Sequence, residues 1–123
     1  MTRWNLDDIA RIAAADQIAI APERGDGTRR PYTTIWVVRV DDGLYVRSYR
    51  GPGGAWFRSA QRTGRGRIRA GDVEQNVSFE AADDLNVQVD QAYRDKYGNS
   101  PYVDAMVAPA AIETTLRMRP PET

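Results

Sequence analysis

The chain has 123 residues, 41% hydrophobic and 28% charged, with 17 basic residues balancing 17 acidic ones, a composition that fits one globular domain over 1–123. It contains neither cysteine nor histidine, which excludes disulfides, thiolate nucleophiles, zinc fingers and Ser-His-Asp triads, and leaves only all-oxygen metal sites, for which the carboxylates lack EF-hand spacing. No apolar run approaches the roughly 18 residues of a membrane span, and the polar start Met1-Thr2-Arg3-Trp4 is no secretory signal, so a cytoplasmic location is expected.

Asn5 reads as an N-cap, with Asp7 and Asp8 in a first turn where the helix dipole favours acids. Leu6, Ile9, Ala10 and Ala13 share one face, so a helix is predicted from Leu6 to about Ala15. Gln17–Ala21 predicts a short strand stopped by Pro22, and Glu23–Pro31 an exposed loop holding Gly25 and Gly27. Tyr32–Val40 (YTTIWVVRV) is β-branched and aromatic and predicts one strong strand. Asp41-Asp42-Gly43 supplies a hairpin turn and Leu44–Tyr49 the returning strand. A flexible loop follows at Gly51-Pro52-Gly53-Gly54, then a short helix or turn over Ala55–Arg62.

Gly66–Ala70 and Val73–Glu80 pair across Gly71-Asp72, with Val77 and Phe79 alternating with Ser78 and Glu80. Asp83 or Asp84 is the expected cap of a second helix running to Tyr97 and stopped by Gly98. Pro101–Val107 predicts a helical turn, Ala111–Met118 a final strand, and 119–123 a frayed tail. Six strands, mostly linked by hairpins, with two or three short helices predict an α+β, mainly antiparallel fold. A small barrel is the natural closure, because it removes exposed edges.

Charge is unevenly spread. Between Gly43 and Gly71 stand seven arginines (Arg47, Arg50, Arg58, Arg62, Arg65, Arg67, Arg69) and no acid, whereas acids dominate from Asp72 on. Arginine's planar fork suits phosphate and carboxylate. Arg47 and Ser48 end a predicted strand, so their side chains point to opposite faces, with Arg50 on the face of Ser48. The glycine loop lets an anion approach the backbone, Trp56 can stack on a planar ring, and Arg58 can add a second charge. The competing reading is a solvated, arginine-rich hairpin edge that resists aggregation.

Arg62, Arg65, Arg67 and Arg69 alternate with small residues, as in a stripe that follows phosphates. Zero net charge, a pI near 6.3 and the lack of a nucleic-acid motif argue against that partner. Among the aromatics, Trp36 is expected in the core, while Tyr49 and Trp56 flank the loop as pocket residues. Tyr97 is expected as a buried, satisfied tyrosine, and Lys96, the only lysine, on a solvated helix end. No residue stands out as a catalytic base.

Several segments carry a resemblance to a family. They are Trp4 with Leu6, the turn Arg24-Gly25-Asp26-Gly27, the strand Ile35–Val38 (IWVV) and Leu44–Ser48 (LYVRS). The Gly51 loop with Trp56 and Arg58, Ala92–Gly98 (AYRDKYG) and Thr114–Met118 (TTLRM) complete the set. Together they resemble the bacterial domain-of-unknown-function family numbered 2255 over nearly the whole chain. The order hairpin, glycine loop, tryptophan, basic strand also looks like the flavin- and deazaflavin-binding split barrels related to pyridoxamine phosphate oxidase. That resemblance implies a split barrel, a homodimer, and a cofactor phosphate held by Arg, Lys, Ser and backbone groups near the dimer interface. Two readings follow. In one, FMN or a deazaflavin sits on Arg47, Ser48, Arg50, Trp56 and Arg58 in an oxidoreductase; in the other, the same barrel is a cofactor-free small-ligand protein or cavity enzyme.

Overall fold

The computed structural model describes residues 3–120. Its elements in chain order are α1 (Leu6–Ala14), β1 (Ile18–Pro22), β2 (Thr33–Ile35), β3 (Val38–Val40) and β4 (Gly43–Val46). A 3-10 turn (Gly51–Gly53) leads into α2 (Ala55–Thr63), β5 (Arg65–Ala70) and β6 (Val73–Ala81). Then come α3 (Asn86–Tyr97), α4 (Val103–Met106), α5 (Pro109–Ile112) and β7 (Leu116–Arg119). All strand pairs are antiparallel, in one seven-stranded sheet of order β2-β1-β5-β6-β7-β4-β3.

Local signals set several boundaries. Asn5 caps α1 through its Oδ1, which accepts from the N–H groups of Asp7 at 2.8 Å and Asp8 at 3.3 Å. Gly64 ends α2 in the left-handed region at φ 69°, where the absence of a Cβ removes the steric penalty.

The sheet order fixes the architecture. β2 and β3 are the two edges of the sheet, yet only Trp36 and Val37 separate them in the chain. Three Cα–Cα steps span at most about 11 Å, so the sheet must curl until its edges approach. The expected single strand Tyr32–Val40 is therefore two strands, and the described residues form seven strands and five α-helices rather than six strands and two or three helices. Only Val38–Val40 pairs with β4 across the Asp41-Asp42 turn; Thr33–Ile35 pairs with β1.

The physical reason for the break lies in α3. The Val37 carbonyl accepts from Lys96 Nζ at 2.8 Å, and its N–H donates to the Tyr97 hydroxyl at 3.4 Å. Both main-chain groups of Val37 thus leave the ladder for side chains of a helix, and the strand ends there.

Alternation then sorts the core. Ile18, Ile20, Ile68, Val77, Phe79, Met118, Leu44 and Val46 face inward, plugged by Ile9 and Ile12 of α1 and by Trp56, Phe57 and Ala60 of α2. Trp4 Nε1 donates to the Met118 carbonyl at 3.0 Å and ties the N-terminal segment to β7. A second cluster lies outside the barrel, where Val89 and Tyr93 of α3 and Val103 and Met106 of α4 pack on Val38 and Tyr45.

Three further expectations change. Neither Asp83 nor Asp84 caps α3; its N-cap is Leu85, with no side-chain cap bond. Ala111 and Ile112 belong to α5, because Pro109 at its first turn starts a helix and β7 begins only at Leu116. Arg119 pairs with Ser78 and Pro120 is buried, which corrects the expected fraying at 119 and 120; the rest of that expectation, 121–123, lies outside the described residues.

Tyr97→Phe removes the side-chain acceptor of the Val37 N–H and the donor to the Asp16 carbonyl at 2.7 Å. The expected loss in urea unfolding is about 1–2 kcal/mol, the usual cost of leaving a part-buried polar group unpaired. An unchanged midpoint would show that the break at Trp36-Val37 does not depend on the phenol.

Candidate functional site

A cleft of about 630 Å³ opens where the β2 edge, Trp36, the segment 47–50, the N-terminus of α2 and α4 meet. Thr33, Thr34, Ile35 and Trp36 form one part of its lining, and Ser48, Tyr49, Arg50, Gly53, Gly54, Ala55 and Trp56 another. Arg30, Arg47, Tyr102 and Met106 complete it. Of the expected site residues, Arg47, Ser48, Arg50 and Trp56 are brought together here; Arg58 is exposed on α2 and lies outside the lining.

Because β4 stops at Val46, strand alternation does not govern the next two side chains. Arg47 and Ser48 are both buried, each 1% exposed. The Arg47 guanidinium is engaged within the fold. Its Nε donates to Thr115 Oγ1 at 2.9 Å, and Nη1 donates to the Asp90 carboxylate and to the Met106 carbonyl at 3.1 Å. Nη2 reaches the Asn86 carbonyl and side-chain oxygens, each at 3.4 Å, and the group lies 5.5 Å from the centroid of the Tyr93 ring. Arg47 is therefore a buried post that joins the end of β4 to α3, α4 and the start of β7.

Ser48 is different. Its N–H donates to Thr114 Oγ1 at 2.8 Å and its carbonyl accepts from Gly51 N–H at 3.0 Å. Its hydroxyl, although buried, has no partner among the described residues. A Cβ built at Gly54 would stand 2.4 Å from that oxygen. The glycine is what gives the hydroxyl its place, against the N-cap of α2. That N-cap is Gly54 itself, which brings no side chain to accept from the first-turn N–H groups. Free backbone donors, the positive end of a nine-residue helix and a hydroxyl thus converge on one end of the cleft.

Arg30 and Arg50 add charge; neither is in an ion pair among the described residues. The aromatic lining is more extensive than the sequence reading placed there. Trp36, expected in the core, is half-buried and stacks on Tyr97 with centroids 4.0 Å apart and planes 1° from parallel. Trp56 is buried in the barrel core while also lining the cleft. Tyr49 and Tyr102, 56% and 58% exposed, meet edge-on at 5.9 Å. The sequence alone does not mark Arg30, Trp36, Tyr102 or Met106 as site residues. Their one sequence signal is the acid-free pair Arg29-Arg30 ahead of Pro31.

The alternating arginines have another role. On the outer face, Arg65 pairs with Glu23 at 3.0 Å, Arg67 with Glu74 at 3.1 Å and Arg69 with Glu74 at 2.8 Å. Hydrogen bonds from Arg69 and Arg67 hold the Glu74 carboxyl below its usual range. Lys96, expected on a solvated helix end, is half-buried instead. Tyr97 is satisfied, and burial pushes its hydroxyl up to about 12, so it acts as a neutral phenol.

The close approach of Ser48 Oγ and Gly54 generates a paired test. Gly54→Ala alone should destabilise the protein by about 1–3 kcal/mol, the usual cost of overpacking. Adding Ser48→Ala removes the clashing oxygen and should recover most of that loss. Additive losses in the double variant would show that the two residues do not share this space.

The fold is similar to that of HutZ, the heme storage protein of Vibrio cholerae, at a TM-score of 0.70 and 12% identity over 98% of this chain and 92% of that one. It is similar to an FAD-binding protein of Mesorhizobium loti at a TM-score of 0.61 and 17% identity, over 98% of this chain and 90% of that one. An F420 reductase matches at a TM-score of 0.56 and 13% identity, over 93% of this chain and 92% of that one. At such identities the likeness establishes the fold, a split-barrel-like curled sheet. No curated protein matches the chain, and no described helix is long and apolar enough to cross a membrane. Residues 8–118 match the profile of DUF2255, uncharacterized proteins conserved in bacteria, and the chain belongs to that family.

Proposed function

We propose that the cleft binds a phosphorylated, ring-bearing cofactor of the flavin or deazaflavin type, and that the protein is an oxidoreductase built around it. One observation carries the reading: the buried, unpartnered Ser48 hydroxyl beside the uncapped N-terminus of α2. A donor left without an acceptor in a protein interior calls for one from outside, and the positive helix end favours an anion. The fold's likeness to proteins named for FAD, F420 and heme supports a cofactor of this size. Flavin is favoured over heme because the chain has no histidine or cysteine, two of the common axial ligands of heme iron.

In this reading Ser48 and the first-turn N–H groups of α2 donate to the phosphate, and Arg50 and Arg30 neutralise it. Trp56 and Trp36 offer faces to the ring, while Tyr49 and Tyr102 shield its outer side from water. Arg47 holds the segment in place through its bonds to Asp90 and Thr115. Arg58, outside the lining, contributes only to the surrounding field. When bound, a flavin would itself supply the hydride chemistry.

Calorimetric titration with FMN tests this. Arg50→Ala should weaken binding about tenfold to a hundredfold, as expected for a charge-assisted bond. Ser48→Ala should weaken it by roughly tenfold, and Arg58→Ala and Arg67→Ala should change it little. No binding by the wild type at high micromolar concentration removes the cofactor reading and leaves a cofactor-free small-ligand barrel. Equal losses in all four variants point instead to a diffuse electrostatic surface.

The exposed Tyr49 and Tyr102 leave the cleft open on one side, and a second copy of the chain is the proposed cover. Sedimentation equilibrium at micromolar concentration should give twice the 13.8 kDa chain mass; a clean monomer rejects the homodimer.

A further inference from the structure

Lys96 is the only lysine of the chain, and its head group has an unusual set of partners. Nζ donates to three main-chain carbonyls: Ala13 at 2.9 Å, Ala15 at 2.8 Å and Val37 at 2.8 Å. No carboxylate is in direct ion-pair contact with it among the described residues, and the Asp16 charge favours the ammonium from further off. The Tyr97 ring lies 5.1 Å away, centroid to nitrogen. Two of the three carbonyls come from the C-terminal end of α1, where the last turn leaves acceptors unbonded and the helix dipole is negative. The third is the carbonyl at the break between β2 and β3.

An ammonium carries three donors and no acceptor, so the three carbonyls satisfy it completely. Carbonyl oxygens arranged around a point are also how proteins replace the hydration shell of a free monovalent cation. Burial works against the charge on this group, lowering its pKa from the usual 10.5, while the Asp16 carboxylate acts in the opposite sense; the three carbonyls supply its hydrogen bonds.

We propose that Lys96 is a tethered cation, filling a carbonyl cage that would otherwise take a free monovalent ion, and that it is a positioning residue for the cleft. It clamps the end of α1 and the Val37 carbonyl to α3. The adjacent Tyr97 stacks on Trp36, which lines the cleft. The clamp therefore sets where that wall stands. The link to ligand binding rests on the cofactor reading; the cage itself does not.

A single lysine permits a direct measurement. In protein labelled with 15N-lysine, the Lys96 ammonium protons should give one resolved signal at neutral pH, slowed in exchange by their three acceptors. A signal lost to fast exchange with water, as on a solvated lysine, overturns the cage. The second arm is chemical rescue. Lys96→Ala should lower the thermal unfolding midpoint by roughly 5–10 °C in tetramethylammonium chloride, whose cation is too large and has no donors. Ammonium chloride at equal ionic strength should restore a substantial part of that shift. The wild type should respond equally to the two salts, and Lys96→Met, whose side chain blocks the cage, should show no rescue. A Lys96→Ala protein that melts alike in both salts, or folds in neither, overturns the proposal.

FMN titration completes the test. Lys96→Ala should bind about tenfold more weakly in tetramethylammonium chloride and recover in ammonium chloride. If the wild type binds no FMN, the cofactor reading fails while the exchange and melting arms still decide the cage. If the wild type binds and the variant's affinity is unchanged, the positioning role fails alone.

Discussion

Two residues, Trp36 and Val37, join strands that stand at opposite edges of a seven-stranded sheet, so the sheet cannot lie flat. That covalent constraint brings β2 toward the far edge of the sheet and creates the cleft beside it. It also takes Val37 out of the ladder, which leaves a carbonyl and an N–H in need of partners. Lys96 and Tyr97 supply them from α3. The link, the helix and the cleft wall are in this sense one construction.

A second buried cation holds the opposite side. Arg47 lies between the barrel and the outer helical layer, bonded to Asp90, Asn86, Thr115 and the Met106 carbonyl. A buried ion pair is weak evidence for stability, because desolvation offsets much of its attraction. Its effect here is geometric. It fixes the chain just after β4, and so fixes Ser48 at the cleft. Two cations, each satisfied by the fold, thus position the walls of a site whose own cations, Arg30 and Arg50, lack ion-pair partners among the described residues.

The distribution of arginine becomes intelligible in three dimensions. The acid-free run between Gly43 and Gly71 contains four kinds of arginine, of which Arg58 and Arg62 stand exposed on α2. Arg47 is buried, Arg50 lines the cleft, and Arg65, Arg67 and Arg69 lie on the outer face of the sheet beside acids. Antiparallel register sets Arg69 directly across from Glu74, so a run that is basic along the chain is close to neutral across the strands. Linear charge clustering overstated the positive field for that reason.

What the sequence by itself determined were the features decided within one element or between neighbours. The Asn5 cap of α1, the β5–β6 hairpin and the alternating inward face of β6 all depend on residues a few positions apart. The mainly antiparallel class followed from those hairpins, and the glycine loop with Ser48, Arg50 and Trp56 fell at the cleft. Tertiary structure decided the rest. Tyr32–Val40 reads as one strand because all of its residues but Arg39 are β-branched or aromatic; it divides because Lys96 and Tyr97, 59 and 60 positions from Val37, offer its main chain better-placed partners. For the same reason Lys96 lies in a carbonyl cage rather than in solvent, and Trp36, packed partly buried against the outer cluster, also forms a cleft wall. Arg47, read as facing a ligand, is occupied by acceptors at positions 86, 90, 106 and 115. A side chain's local surroundings in sequence do not reveal partners so distant, because only the closed fold brings them within hydrogen-bonding reach.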